Sequence, residues 1–349
     1  MPRFSDIIDQ EQLKNHMQNA LETGKVSHAY IISGEDGSGK EFVAKAYAKA
    51  LLCESREKEG RYIEACDKCH SCIQAESGTN PDIITLVHEK PNVISVDDIR
   101  TQIRDSVIIK PYAAKYKVYI IPDGEMMNVQ AQNALLKTLE EPPAYVVIII
   151  LTNNADAFLQ TIISRCVVLP MKPASDDSIR KYLMEDMKIV SYKADLCTSF
   201  ARGNVGKAIE LASSDRFEGL KNNVIEVVSK LKGREIYQIN QKIQEIIKCK
   251  NEDATAAESK KEALQNQGDM LDVLLFFFRD ILVYKSTEKA EHLIFQDKLS
   301  YIRDISLNSS YEGIKNIFEA LDRAQKRITY NVNADLTLQM LFLDIKENI

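Results

Sequence analysis

Tryptophan is absent from all 349 residues, and proline is absent from the last 176, since the nine prolines lie between Pro2 and Pro173. That C-terminal stretch also holds only six of the thirteen glycines. With few helix breakers left, it is expected to be helical throughout. No apolar run approaches the roughly 20 residues a membrane span needs. Met1 to Glu11 has no apolar core of a signal peptide. A cytoplasmic protein with no membrane contact is therefore expected. Neither sign of charge dominates: 45 Lys and Arg stand against 51 Asp and Glu, a formal net charge of -6. That excludes a surface that is a nucleic-acid footprint all over, and leaves a local basic face open. A hydrophobic content of 45% and a charged content of 28% exclude a disordered chain, and the length suits two to three domains. Seven cysteines in a cytoplasmic chain point to reduced thiols or metal ligands rather than disulfides.

What is present divides in two. Before Pro170, β-rich runs at Tyr30 to Ser33, Ile83 to Val87, Val118 to Ile121 and Val146 to Thr152 alternate with helix-like segments, and Val167-Val168-Leu169 adds a fifth. Such alternation predicts a parallel sheet covered by helices. Pro170 to Pro173 reads as a hinge. Helices are then expected over Ser175 to Met187 and Lys193 to Phe200, with Gly203-Asn204-Val205-Gly206 opening another through Ser213. From Arg216 onward apolar residues recur at helical spacing, as in Ile225, Val228 and Leu231, and again in Ile314, Ile317, Phe318 and Leu321. Asn251 to Gly268 is polar and expected to be exposed, whereas Met270 to Leu282 is apolar nearly all round and expected to be buried in a bundle.

The stretch with the most chemistry is Gly34-Glu35-Asp36-Gly37-Ser38-Gly39-Lys40-Glu41, set between a strand and the helix-like segment Phe42 to Leu52. G-x-x-x-x-G-K is the spacing of a phosphate-binding loop: Gly34, Gly37 and Gly39 let backbone N–H groups face an anion, and Lys40 adds a point charge. The next residue should be Ser or Thr, whose hydroxyl holds Mg²⁺. Here it is Glu41, a carboxylate that repels phosphate. A second constellation is Cys66-x-x-Cys69-x-x-Cys72, with Cys53 available as a fourth thiolate. Four thiolates suit a closed, structural Zn²⁺ site that would staple an insertion over about residues 53–77. His70 ranks second as a ligand, and Cys166, Cys197 and Cys249 read as small buried hydrophobes. Third, Tyr116 to Glu125 resembles the strand that ends in an acidic pair in P-loop ATPases. In one register Pro122 stands where the metal-holding acid belongs and Asp123 where the base belongs; in the other Asp123 is the first acid and Gly124 takes the place of the base, so either loses a part.

Gln132 to Pro143 (QNALLKTLEEPP), the strand Val146 to Thr152, the triplet Ser164-Arg165-Cys166, His28-Ala29-Tyr30, the cysteine module and Asn331-Val332-Asn333 run through the whole length. With these residues the chain resembles the bacterial DNA polymerase III clamp-loader subunits, most of all those of the delta-prime type. The resemblance implies an α/β P-loop AAA+ module over residues 1–170, a small helical lid over 171–214, and a helical collar over 215–349 that joins five subunits into an open ring. It also implies that Ser164-Arg165-Cys166 projects Arg165 into the ATP site of the next subunit. Thr152 and Asn153 would lie where a polar γ-phosphate sensor sits, and Gly206 would take the place of the lid arginine of motor subunits, with Lys207 beside it. The implied partners are motor (gamma/tau) and delta subunits in a hetero-pentameric ring, the sliding clamp, and primed DNA reached through the assembly.

Glu41, Pro122, Asp123 and Gly206 all depart from a working ATPase in the same sense. The expectation is a stationary subunit of the loader that donates Arg165 in trans and needs no Mg²⁺ in its own site. Whether Lys40 and the loop glycines hold ATP or ADP as a structural ligand stays open. Two alternatives stand beside it: an ATP-hydrolysing motor subunit, and a zinc-stapled nucleic-acid-binding protein with a vestigial loop. The latter would bind DNA tightly by itself with a steep salt dependence. Lys137 and Gln132 are candidates to meet DNA, against a plainer reading as helix surface.

Overall fold

The computed structural model describes residues 2–88, 93–248, 256–330 and 332–349, without the side chains of 256–258 and 261. Cys249, Asn331 and the first part of the polar stretch, 251–255, lie outside the described residues. The chain divides into two compact units, one of Met1–Lys188 with Ala201–Ile209 and one of Ile189–Phe200 with Glu210–Ile349. The segment read as a lid contributes residues to each.

The first unit is built on β1 (Ala29–Ser33), β4 (Ile83–Thr85), β5 (Lys117–Ile121), β6 (Val146–Thr152) and β7 (Val167–Pro170), in the order β4-β5-β6-β1-β7. All four pairings are parallel. Alternate side chains leave the sheet on opposite faces, and each face is covered. Tyr30, Ile32, Val118, Ile120, Val147 and Ile149 pack with α1 (Glu11–Thr23) and α2 (Lys40–Leu52). Ile31, Tyr119, Ile121, Ile148 and Ile150 pack with α4 (Val96–Ile99), α5 (Val129–Glu140) and α6 (Gln160–Ile163). Every residue of β5 and β6 is buried, which explains why Val146 to Leu151 reads as an unbroken aliphatic run. This is the α/β AAA+-type core expected from the sequence. The cysteine insertion adds an unexpected antiparallel hairpin, β2 (Glu57–Glu59) with β3 (Tyr62–Glu64), ahead of α3 (His70–Glu76). After the sheet come α7 (Asp176–Glu185) and the first turn of α9 (Val205–Ser213).

The second unit is helical, as the lack of proline predicts. It comprises α8 (Ser191–Ala201), the end of α9, α10 (Asp215–Ser229), α11 (Ile236–Ile247), α12 (Ala256–Thr287), α13 (Leu299–Asn308), α14 (Tyr311–Thr329) and α15 (Ala334–Asn348). Met270, Leu274, Phe277, Phe278 and Ile281 are fully buried, so Met270 to Leu282 is the bundle's core helix. Phe200, Phe217, Phe277 and Phe295 form edge-to-face ring pairs with centroids 5.1 to 6.1 Å apart. The expectation that the polar stretch through Gly268 is exposed fails at its end. Asn266 and Gln267 are buried. Arg216 reaches Asn266 and, at 2.8 Å, Asp269, while the Asn266 amide donates to the Ile247 carbonyl at 3.1 Å. Asn266 is tolerated there because its amide oxygen and nitrogen both find partners, whereas Gln267 Oε1 finds none among the described residues.

Candidate nucleotide and metal sites

The phosphate loop leaves the carboxyl end of β1, between β6 and β7, where open α/β sheets bind ligands. Gly37 and Gly39 have φ of 76° and 94°, values that strain any residue with a Cβ, and Gly39 caps α2. The Lys40 ammonium is folded back onto the loop. It donates to the Gly34 carbonyl at 2.6 Å, the Glu35 carbonyl at 2.8 Å and Asn153 Oδ1 at 2.5 Å, which engages all three of its protons. Burial pulls its pKa below the usual lysine value, although the carboxylates of Asp36, Glu125, Asp123 and Glu35 act the other way. Asn153 thus touches the loop lysine, and its own N–H donates to Glu125 at 3.2 Å. Thr152 is fully buried and bonds to the backbone of Asn154 instead.

Segment 203–206 sits directly on this loop. Asn204 Nδ2 donates to the Asp36 carbonyl at 2.6 Å, and the Gly206 N–H donates to the Gly37 carbonyl at 2.8 Å. A Cβ at 206 would lie 2.4 Å from the Gly37 oxygen and 2.9 Å from its Cα. Gly206 is therefore a close-approach glycine, and no arginine fits there. Beside it, Ile7, Ile8, Phe42, Val43, Tyr182 and Ile209 line an apolar cavity of about 140 Å³ that opens on Gly37 to Gly39. The pocket and loop suit the base and phosphates of a nucleotide. The metal half does not fit: Glu41 leans along α2 to Lys45 at 2.6 Å. Pro122 has no ligand atom in its side chain, and the Asp123 carboxylate faces His88 Nε2 at 3.9 Å.

The N-terminal segment joins this pocket to the cysteine module. Glu64, itself buried, accepts the N–H groups of Phe4 at 3.0 Å and Ser5 at 2.8 Å, and Arg3 pairs with Asp67 at 3.0 Å. Further along, Asp9 accepts from the Ser175 N–H and the Ser178 hydroxyl, both at 2.7 Å, at the start of α7. Within the module, the sulfurs of Cys53, Cys66, Cys69 and Cys72 all lie within 4.8 Å of one another. The Cys66 N–H donates to the Cys53 sulfur at 3.3 Å and the Cys69 N–H to the Cys66 sulfur at 3.4 Å. Backbone donors at Lys68 and Cys69 bring the Cys66 thiol down to about 7, against burial, whereas burial raises Cys53 and Cys72. Asp67, at φ 57°, makes the tight turn between Cys66 and Cys69. The set suits one structural Zn²⁺ with no open position. His70 is exposed and outside this group, so it is not the fourth ligand here.

Arg165 follows α6 at the surface. Its guanidinium donates to the Thr161 carbonyl at 2.9 Å and pairs with Glu140 at 3.1 Å, with 36% of the side chain exposed. Glu140 is the last residue of α5, inside the Leu-Glu-Glu-Pro-Pro segment, and nothing in the sequence pairs it with Arg165. Ser164 bonds its hydroxyl to Thr161 at 3.1 Å, and Cys166 is half-buried with its thiol pushed up to about 12 by burial. Lys137 is exposed. Gln132 is buried, donating to the Met127 and Ala157 carbonyls and accepting from the Leu159 N–H, so the suggestion that it meets DNA is wrong.

Among the described residues no helix is long and apolar enough to cross a membrane. Residues 9–175 match the family model "DNA polymerase III, delta subunit", and residues 239–347 match "DNA polymerase III, delta subunit, C terminal". The chain is similar to subunit delta' of DNA polymerase III from Bacillus subtilis, 30% identical over 342 residues that cover 97% of this chain and 96% of that protein. It is also similar to subunit tau of the same organism, 31% identical over 339 residues, of which it spans only 58% of the length. A gamma-subunit-related protein of Thermotoga maritima superposes with a TM-score of 0.45 at 20% identity, over 95% of this chain and 99% of that one. The full-length match to a delta' subunit, with both delta models on the same chain, places this protein in the DNA polymerase III delta/delta-prime family of AAA+ clamp-loader subunits.

Proposed function

We propose that this chain is a stationary subunit of the clamp loader, which completes a neighbour's ATP site with Arg165 and turns over no ATP itself. Through its C-terminal helices, after about residue 215, it joins motor (gamma/tau) and delta subunits in a five-membered ring. In the cytoplasm that ring places the sliding clamp on primed DNA. The observation that carries the reading is the seat of Gly206 on the phosphate loop. The Gly206 N–H donates to the Gly37 carbonyl at 2.8 Å, and a glycine in that seat offers no guanidinium to a nucleotide on the loop. Glu41 and Pro122 support the same reading, because neither holds Mg²⁺ against the β- and γ-phosphates.

Arg165 has the complementary properties. It is planar, permanently charged and partly exposed, and Glu140 and the Thr161 carbonyl orient it. A guanidinium supplied in trans neutralises charge that develops on the transferred phosphoryl group, and such arginines contribute on the order of 10³ to 10⁵ in rate. Zn²⁺ in the cysteine module would take no part in this chemistry. It would hold the insertion, and with it Glu64 and the N-terminal segment. ATP turnover by the purified chain tests the first half of the reading. The chain alone should release no more phosphate than its Lys40→Ala form. Turnover that Lys40→Ala abolishes would make it a motor.

A further inference from the structure

Residues 3–10 form a strap that the metal and nucleotide sites share. One end is tied to the cysteine module. The Glu64 carboxylate, 2% exposed and two residues before Cys66, accepts the Phe4 and Ser5 N–H groups, one on each oxygen. Arg3 pairs with Asp67, in the turn between Cys66 and Cys69, and with Glu59 of the hairpin, both at 3.0 Å. Buried Lys49 meets the same Asp67 from α2. At the other end Asp9 and Gln10 stand at φ 54° and 57°, values that residues with a Cβ rarely adopt unless held. The segment after β7 holds them. Asp9 takes the Ser175 and Ser178 donors, and the Gln10 amide exchanges hydrogen bonds with the Lys172 backbone at 2.5 and 3.0 Å. Between the two ties run Asp6, Ile7 and Ile8, which line the apolar cavity over Gly37 to Gly39.

The tie at the module depends on the cysteines. β2 and β3 have three residues each and pair only with each other, and a two-stranded hairpin of that size is marginal by itself. Closed four-thiolate modules draw their folding energy from the bound metal. We propose that the cysteine module sets the affinity of the phosphate-loop pocket for nucleotide, a role that rests on that pocket taking a nucleotide. With Zn²⁺ in the module, Glu64 and Asp67 hold the strap as the pocket's wall. Without it the strap is released and the wall is lost. Linkage makes the effect reciprocal, so nucleotide in the pocket holds the metal in the module.

The test uses the full-length chain with ADP as the probe. Glu64→Gln leaves all four cysteines in place, but its amide oxygen can take only one of the two N–H groups. It should keep about one zinc per chain, bind ADP about fivefold or more weakly, and exchange hydrogen faster at residues 3–9. Asp9→Asn, at the far tie, should weaken ADP in the same way and leave the metal in place. Zinc removal from the wild-type chain should quicken exchange at residues 3–9 as well as 53–77, with residues 270–282 unchanged; the two variants decide the matter even if the metal-free chain unfolds. ADP should slow the transfer of zinc to a colorimetric chelator in the wild type and not in Glu64→Gln, a difference that a merely structural module would not give. If Gln18, which bonds the Ile63 backbone at 2.6 and 3.2 Å, holds β3 unaided, residues 6–9 will exchange no faster without zinc, and the coupling is overturned. Equal ADP affinity in wild type and Glu64→Gln would overturn it too. So would a wild-type chain that binds no ADP, and faster exchange at residues 3–9 in Glu64→Gln would then place the fault in the pocket rather than the strap. ATP turnover decides the stator reading separately.

Discussion

Replacing Gly206 by alanine sets two calculable effects against each other. The residue lies in the first turn of α9, where alanine is favoured over glycine by about 1 kcal/mol. Against that, the new Cβ would sit 2.4, 2.9 and 3.1 Å from the Gly37 O, Cα and C atoms. These are backbone atoms of a tight loop, and they cannot swing aside as a side chain would. Overpacking of this kind costs about 1–3 kcal/mol. Separating the segments also breaks the 2.8 Å bond from Gly206 N to Gly37 O, for about 1 kcal/mol more. The net expectation is a loss of about 1–3 kcal/mol, felt at the seat. Gly219 and Gly268 supply the controls. Both are in helices, a Cβ on either meets nothing within 4 Å, and alanine there should stabilise by up to about 1 kcal/mol. Hydrogen exchange followed by mass spectrometry reads the difference locally. Gly206→Ala should speed exchange about tenfold or more in peptides covering residues 36–40 and 204–209. If it instead behaves like Gly219→Ala, with slower or unchanged exchange at both segments, the seat on the loop does not exist as described.

Two further outcomes follow from the other sites. Metal analysis of the purified chain should give about one zinc per chain, and Cys69→Ser should release it. Exchange should then rise at Phe4 and Ser5, whose N–H groups depend on Glu64; a well-folded, metal-free protein would remove the zinc reading. Glu140→Ala breaks an exposed ion pair worth no more than about 1 kcal/mol, so melting should barely move. It should nonetheless lower DNA-stimulated turnover of the reconstituted loader, because Arg165 loses its orientation. Unchanged turnover would mean that Glu140 does not position that arginine.

The elements that could be read from the sequence are those whose signal is local. Val146 to Thr152 is apolar on both faces because both faces are covered, and a run of that kind is a buried parallel strand. The cysteine spacing sets three sulfurs close before any fold is considered, and Cys53 joins them because α2 ends where the insertion begins. What stayed hidden depends on partners far along the chain. Nothing near Asn204 reveals that its amide meets the Asp36 carbonyl, 168 residues away. Gln132 looks like a helix-surface residue, yet it is buried because the loops after Gly124 and before Leu159 leave backbone groups that only a long amide can reach. Asn266 reads as solvated until Arg216 and the Ile247 carbonyl are placed beside α12. Likewise, Ile108 and Ile109 are an apolar pair that would ordinarily enter a core. They face solvent because Lys117 and Tyr145 claim the carbonyls of their loop.

The most direct test of the stator reading is DNA-stimulated ATP turnover by a loader reconstituted with motor and delta subunits, comparing this chain with its Arg165→Ala and Arg165→Lys forms. Gel filtration establishes in each case that the assembly is intact. Turnover is predicted to fall in Arg165→Ala and to stay low in Arg165→Lys, which keeps the charge but not the planar fork of donors. Wild-type turnover from an intact assembly carrying Arg165→Ala would contradict the account, since no neighbouring site would then depend on this chain's arginine.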